Sequence, residues 1–109
     1  RAAVEQLPKG IHTVLTDQVQ AMLPSGFRQL LAVAQALLRA PKILLLDDPA
    51  QSLDRALETA MIDAIQRRKG DVTTLMVTHR PSHIRLADLE LPLRDGMPQP
   101  TKRKKEKAA

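Results

Sequence analysis

Two adjacent carboxylates, Asp47 and Asp48, stand directly after an apolar run in this 109-residue chain. The run at residues 43–46 is short and unbroken, which predicts a strand buried on both faces, as in parallel α/β sheets. Open α/β sheets bind their ligands at the carboxyl ends of the strands. One carboxylate there could hold Mg²⁺, and its neighbour could position a water against a phosphate. A buried strand that ends at a solvated acidic turn explains the same residues equally well.

Two other places carry residues suited to phosphate chemistry. Ser25 and Gly26 precede a predicted helix, and the free N–H groups at a helix N-terminus bind anions. His79 follows a second apolar strand, at the sheet edge where Asp47 is expected to emerge. His12 and His83 have no comparable context, and three scattered histidines do not predict a metal site.

The elements predicted to position these residues are helices and strands that alternate along the chain. Amphipathic periodicity predicts helices at 27–39 and 53–67, and apolar runs predict strands at 43–47 and 73–78. Ser25 is the predicted N-cap of the first of these helices. Shorter predicted elements are helices at 16–22 and 81–86, a strand at 89–93 and a turn at Asp95 and Gly96. This alternation predicts an α/β fold in which helices pack on a parallel sheet.

In order and spacing, these segments resemble the C-terminal half of an ABC transporter ATPase domain of the exporter type. The matching motifs are the LPxGxxT stretch at 7–13, the signature loop at 23–29, the Walker B strand at 43–48, the D-loop at 51–54 and the switch histidine at His79. The resemblance runs from about residue 7 to about residue 96. It implies a P-loop NTPase (RecA-like) fold, with a parallel sheet flanked by helices.

The resemblance also implies a role for each candidate residue. Asp47 would bind Mg²⁺ through water, Asp48 would occupy the position of the catalytic glutamate, and His79 would contact the γ-phosphate of ATP. The other implied contacts with nucleotide or across a dimer interface are Ser25, Gly26, Phe27, Arg28, Gln29 and Asp54. Alternatively, Phe27 is a packing residue of the helix that follows, and Asp54 is a charge that complements a helix dipole.

Two departures from the family pattern predict an impaired catalytic site. The carboxylate of Asp48 is one methylene shorter than that of the family's glutamate, so it would stand farther from an attacking water. Pro24 stands where the family has the signature serine, and proline has no N–H to donate. We therefore expect slow hydrolysis or none, unless a small shift of the loop lets Asp48 work.

The chain contains no GxxxxGK[ST] motif. That loop supplies most of the triphosphate binding in P-loop enzymes, and we expect it upstream of residue 1. Residues 1–97 are then the C-terminal part of an ABC ATPase domain, which alone should not hydrolyse ATP. Residues 98–109 are predicted to be a basic, disordered tail that holds most of the net charge of +5. The absence of cysteine excludes disulfides and thiolate metal sites.

The resemblance implies ATP and Mg²⁺ as cofactors, with a second ABC ATPase domain and the transmembrane domain of a transporter as partners. The resemblance also implies a location at the cytoplasmic face of the inner or plasma membrane. Because the apolar runs of this chain are far too short to cross a bilayer, it would be held there through a transmembrane partner or a missing segment. Nucleic acid is not the expected partner, since no aromatic residues interleave the basic tail. Two alternatives stay open, which are a non-transport ABC ATPase acting on DNA and a non-catalytic dimerisation module with a decayed ATPase fold.

Overall fold

The computed structural model describes residues 2–103. The chain forms two compact units, Arg1–Met76 and Val77–Ala109. The first unit begins with three short elements, which are helix α1 (Ala2–Glu5), a 3₁₀ turn (Gly10–His12) and helix α2 (Asp17–Met22). Thr16 caps α2, because its hydroxyl oxygen accepts a hydrogen bond from the amide of Val19 at 3.2 Å.

Four longer elements complete the first unit. They are helix α3 (Ser25–Leu38), strand β1 (Ile43–Asp47), helix α4 (Arg55–Arg67) and strand β2 (Thr73–Val77), the last residue of which begins the second unit. The sequence-based prediction of these two helices and two strands is confirmed, with ends that differ by two residues or fewer. The strands pair in a small parallel sheet, and α4 lies between them in the chain. A parallel pair requires such a crossover connection.

The core of the first unit lies between β1 and the two long helices. Its buried members come from α3, β1, α4 and the loop after β1, and they are Val33, Leu37, Leu44, Leu46, Ala50 and Met61. The side chains at 44 and 46 point to the same face of β1, because successive residues of a strand alternate between faces. The apolar run therefore buries one set of alternate residues against α3 and α4.

The other face of the sheet is open among the described residues. Ile43 and Leu45 on β1 are 65% and 69% exposed, and Leu75 on β2 is 61% exposed. The prediction of a strand buried on both faces is therefore wrong for this part of the chain. An unbroken apolar run permits burial of both faces of a strand, but the second face is buried only if further elements pack on it. Helical periodicity also predicts Leu38 on the apolar face of the helix at 27–39, yet 86% of its surface is exposed.

The second unit contains one short helix and four two-residue strands. They are α5 (Pro81–Ile84), β3 (Leu89–Glu90), β4 (Leu93–Arg94), β5 (Met97–Pro98) and β6 (Lys102–Arg103). Asp95 and Gly96 join β4 to β5 with φ angles of 49° and 74°. Two successive residues with positive φ are typical of the tightest hairpin turns, and they confirm the predicted turn.

Two expectations for this unit need adjustment. The single strand predicted at 89–93 is divided into β3 and β4, with Pro92 between them. Proline cannot donate to a strand ladder, which is consistent with this interruption. Strand β6 pairs antiparallel with β3, so Lys102 and Arg103 have regular structure within the stretch expected to be disordered. The remaining charges of that stretch, at residues 104–107, lie outside the described residues.

Candidate functional site

Asp47 and Asp48 stand where the sequence predicts, at the end of β1. Asp47 is exposed, and Asp48 is half-buried with a φ angle of 43°. Aspartate enters this left-handed region more readily than most residues with a side chain, although at some conformational cost. The strand ends here because a left-handed residue does not continue an extended backbone. The two carboxylates thus have different environments although they are adjacent in sequence.

One carboxylate oxygen of Asp48 lacks a partner in the described structure. Oδ1 is buried, and no polar atom of residues 2–103 forms a hydrogen bond with it. Buried polar atoms nearly always have a partner, so an unsatisfied one indicates a place for water, an ion or a ligand. The neighbouring carboxylate of Asp47 is open to solvent.

This pair fits the way in which proteins hold Mg²⁺. The ion keeps several waters and usually takes one or two carboxylates. Among the described residues there is no group of three or more His, Cys, Asp or Glu that could hold a metal. The structure therefore offers the oxygen ligands that a partly hydrated Mg²⁺ needs, without a closed cage of side chains.

The signature-like loop, residues 23–29, leads directly into α3. Pro24 is the N-cap and forms no side-chain capping bond, and Ser25 is the first helical residue. The predicted N-cap role of Ser25 is therefore wrong. Proline suits this position because the N-cap residue does not donate a hydrogen bond within the helix, so the missing N–H of proline costs no helix bond. The first amides of α3 have no partner within the helix, as at every helix N-terminus.

Gly26 is buried against the loop that contains Ser52. A Cβ atom built on Gly26 would lie 2.5 Å from the backbone carbonyl oxygen of Ser52 and 3.6 Å from Cδ2 of Leu53. No real side chain fits at that distance from a backbone oxygen. The glycine of the signature-like loop thus lets α3 approach the D-loop-like residues of the same chain.

Gln29 joins the same two segments through its side-chain amide. Its Nε2 donates to the carbonyl oxygen of Asp48 at 3.2 Å, and its Oε1 accepts from the amide of Ser52 at 3.3 Å. Sequence comparison with the motif predicted a nucleotide contact for Gln29. In this structure both polar groups of its side chain bond to the loop after β1.

Asp54 caps helix α4. Its Oδ1 accepts a hydrogen bond from the amide of Leu57 at 2.8 Å, and its backbone is extended, as an N-cap requires. This geometry agrees with the alternative interpretation, in which Asp54 complements the N-terminus of a helix. Arg28 and Ser25 are exposed, and Phe27 is half-buried at the start of α3.

His79 lies in the second unit, in the loop between β2 and α5, and it is exposed. The hydroxyl oxygen of Thr78, just before it, accepts from the amide of Arg80 at 3.1 Å. The same oxygen lies 3.4 Å from Nδ1 of His83. These contacts hold the backbone on either side of His79, whose own side chain faces solvent.

Sequence reasoning missed His83. It is 5% exposed, and it is the buried polar residue of the described structure. Pro81 begins α5, and a proline at the first position of a helix is a usual start signal. Because α5 begins at Pro81, residue 83 lies in the single turn of that helix, where its ring nitrogen comes within reach of Thr78.

In residues 2–103, no helix has both the length and the apolar character needed to span a membrane. No family model matches the chain. The chain is 42% identical to the ABC-type transporter fsqE of Aspergillus fumigatus over 93 residues, which is 85% of this chain and 7% of that protein. It is 37% identical to human ATP-binding cassette sub-family B member 5 over 86% of the chain and 7% of that protein.

A bacterial relative and a solved structure agree with these matches. The chain is 41% identical to the ATP-dependent lipid A-core flippase of Haemophilus influenzae, over 78% of the chain and 14% of that protein. It also superposes on the structure of a bacterial Atm1-family ABC exporter with ATP bound, with a TM-score of 0.79 and 27% identity. That match covers 94% of this chain and 18% of the exporter chain.

The chain spans only about 7% of the length of the first two relatives. Within that span, the similarity extends over most of this chain, 85% in the first match, and the shared fold extends over 94% of it. Over these residues, the chain belongs to the exporter-type ABC transporters.

Proposed function

We propose that the chain is the C-terminal part of a P-loop ATP-binding domain, and that this domain couples ATP binding and hydrolysis to export across a membrane. The observation that carries the proposal is the pair Asp47 and Asp48 at the end of β1, with Oδ1 of Asp48 buried and lacking a partner in the described structure. Strand ends are where open α/β sheets bind ligands. The names of the relatives, a transporter, an exporter and a flippase, support the same reading.

Each candidate residue has a proposed part in the reaction. When bound, Mg²⁺ would neutralise charge on the phosphates. Asp47 would hold that ion through water, because its exposed carboxylate leaves room for a hydration shell. Asp48 would orient the attacking water and accept its proton, and His79 would donate a hydrogen bond to the γ-phosphate. These three side chains are the ones we expect to contact the reacting atoms or the ion.

The nucleotide of an opposing ATP-binding domain would meet the start of α3. Exposed Ser25 and Arg28 are available to a phosphate, together with the first amides of the helix. Pro24 contributes no N–H, and buried Gly26 is packed against Ser52, so we expect fewer donors than in an intact signature loop. Phe27 would take part through its backbone. Asp54 would lie near the dimer interface while it also caps α4.

We further propose that hydrolysis at this site is slow. General-base action depends first on reach, and the aspartate side chain is one methylene shorter than glutamate. The left-handed backbone at Asp48 favours aspartate over glutamate, which provides a conformational reason for the shorter residue. The partners would be a second ATP-binding domain and a transmembrane domain, and the chain would act at the cytoplasmic face of a membrane through them.

The test is ATP binding and turnover by the complete ATP-binding domain that carries this segment, natural and with Asp48→Glu. We expect Asp48→Glu to raise turnover by about tenfold or more, because a well-placed general base contributes roughly 10²–10⁴-fold. Nucleotide affinity should stay within about twofold, since Asp48 acts on water rather than on the resting nucleotide. Asp63, an exposed carboxylate on α4, provides a matched control as Asp63→Glu.

Two results would count against the proposal. If neither form bound ATP, the assignment of nucleotide contacts would fail and the fold would serve as a scaffold. If both bound ATP but Asp48→Glu left turnover unchanged, Asp48 would not occupy the catalytic position. The free energy of unfolding, measured in parallel, would show whether glutamate is tolerated at the left-handed position.

A further inference from the structure

One side chain of α3 holds both ends of the loop that begins at Asp48. We call residues 48–52 the Asp48 segment. Gln29 donates to the carbonyl oxygen at one end, on Asp48, and accepts from the amide at the other end, on Ser52. These two contacts link residues that are 19 and 23 positions away from Gln29 in the chain.

The two contacts require the chemistry of glutamine. A backbone carbonyl can only accept and a backbone N–H can only donate, so the Gln29 amide must present Nε2 to Asp48 and Oε1 to Ser52. A glutamate at this position would keep the acceptor and lose the donor. A methionine would keep the approximate length of the side chain and lose both.

The backbone of the Asp48 segment adopts a conformation that contacts from other residues must stabilise. Asp48 has a φ angle of 43°, and such a residue keeps its conformation only when its surroundings determine it. Within the segment, the amide of Gln51 donates to the Asp48 oxygen at 3.3 Å, and the amide of Leu53, just after the segment, donates to the Ala50 oxygen at 3.1 Å. Gln29 adds two bonds from outside the segment.

Gly26 strengthens the same connection. It lies three positions before Gln29, so both residues share one face of α3. The segment contacts that face at Gly26 through the Ser52 carbonyl and at Gln29 through the two hydrogen bonds. A displacement of the start of α3 therefore acts directly on the backbone that orients Asp48.

We propose that Gln29 is a positioning residue that fixes the Asp48 segment and so sets the direction of the Asp48 carboxylate. The catalytic part of this proposal rests on the proposed function above, whereas the hold on the backbone does not. Gln29 itself contacts neither substrate nor ion in this scheme. Through it, the state of the signature-like loop is transmitted to the catalytic carboxylate of the same chain.

The first experiment measures amide hydrogen exchange at Ser52 in the full chain, for the natural protein, Gln29→Met, Gln29→Glu and Gln35→Met. Gln35 is the matched control, since it is a glutamine on the same helix with an exposed side chain. Gln29→Met should accelerate exchange at Ser52 by about two- to tenfold, because the Ser52 amide loses the hydrogen bond that it donates to Gln29. Gln29→Glu should retain protection, because its carboxylate still accepts from Ser52, and Gln35→Met should change nothing.

The second experiment measures ATP turnover by the complete domain carrying Asp48→Glu, with the same variants added. We expect both Gln29 variants to lower kcat by about ten- to 100-fold, because small misplacements of a catalytic group have effects of that size. The KM for ATP should stay within twofold of the reference value, and Gln35→Met should match the reference. A purely structural role would not lower kcat while leaving KM unchanged.

The outcomes separate the two proposals. Unchanged exchange at Ser52 in Gln29→Met would overturn the hold of Gln29 on the segment. A raised KM with unchanged kcat would overturn the positioning of Asp48 by Gln29, since Gln29 would then be a nucleotide contact. If the reference domain bound no ATP, the proposed function would fail, and exchange at Ser52 would still decide whether Gln29 holds the segment. The Gln29→Glu variant keeps the comparison meaningful if Gln29→Met does not fold.

Discussion

Gly26 and Ser52 approach so closely that a Cβ atom at position 26 would lie 2.5 Å from the Ser52 carbonyl oxygen. Gly26 is buried and helical, and Ser52 belongs to the loop after β1. The oxygen is a backbone atom, so it cannot move away without moving the loop. This contact makes the spacing between the start of α3 and the Asp48 segment sensitive to a single methyl group.

Replacing Gly26 with alanine should therefore destabilise the chain. Alanine favours a helix over glycine by up to about 1 kcal/mol, but overpacking in a closed site costs about 1–3 kcal/mol. We expect a net loss of about 1–2 kcal/mol in the free energy of unfolding, measured with urea. Ser25→Ala, at the exposed neighbouring position, should stay within about 0.5 kcal/mol. A Gly26→Ala variant as stable as the natural chain would show that the loop yields without cost.

Asp54 should act in stability through its capping oxygen more than through its charge. Asp54→Ala removes the acceptor for the amide of Leu57 and should lower the free energy of unfolding by about 1 kcal/mol. Asp54→Asn keeps the acceptor, so most of the stability should remain. If Asp54→Asn loses as much as Asp54→Ala, and the loss shrinks in high salt, interaction with the helix dipole would be the larger effect.

Thr78 should hold the backbone around His79 through its hydroxyl. Thr78→Val keeps the shape but removes the acceptor for the amide of Arg80 and the polar contact with His83. We expect a loss of about 1 kcal/mol in the free energy of unfolding, and Thr78→Ser should restore most of it. The nitrogen resonances of the His83 ring should shift in Thr78→Val, whereas those of exposed His12 should not. Unchanged His83 resonances would contradict the contact.

The sequence was most informative where a local pattern is sufficient. Period 3.6 identified α3 and α4, and the apolar runs identified β1 and β2, because side-chain periodicity follows directly from backbone geometry. The pair Asp95 and Gly96 identified a turn because both residues adopt positive φ readily. The motif order also led to the family, which the relatives confirm.

The start of α3 shows where local pattern was insufficient. Serine is a strong N-cap, yet Pro24 takes that position and Ser25 lies inside the helix. The free energies by which adjacent residues differ in their preference for the N-cap position are small enough for tertiary packing to override. The contact of Gly26 with Ser52 brings in residues far along the chain, and capping preferences contain no information about it.

The sequence by itself determined the order of α3, β1, α4 and β2, the position of the two carboxylates at the end of β1, and the resemblance to ABC exporters. These features depend on residue types at short spacing. Tertiary structure decided which face of β1 is buried, that the Gln29 amide holds both ends of the Asp48 segment, and that His83 is buried while His79 is exposed. Those features depend on contacts between residues or elements that only the folded chain brings together, because spacing along a sequence does not specify which side chains meet.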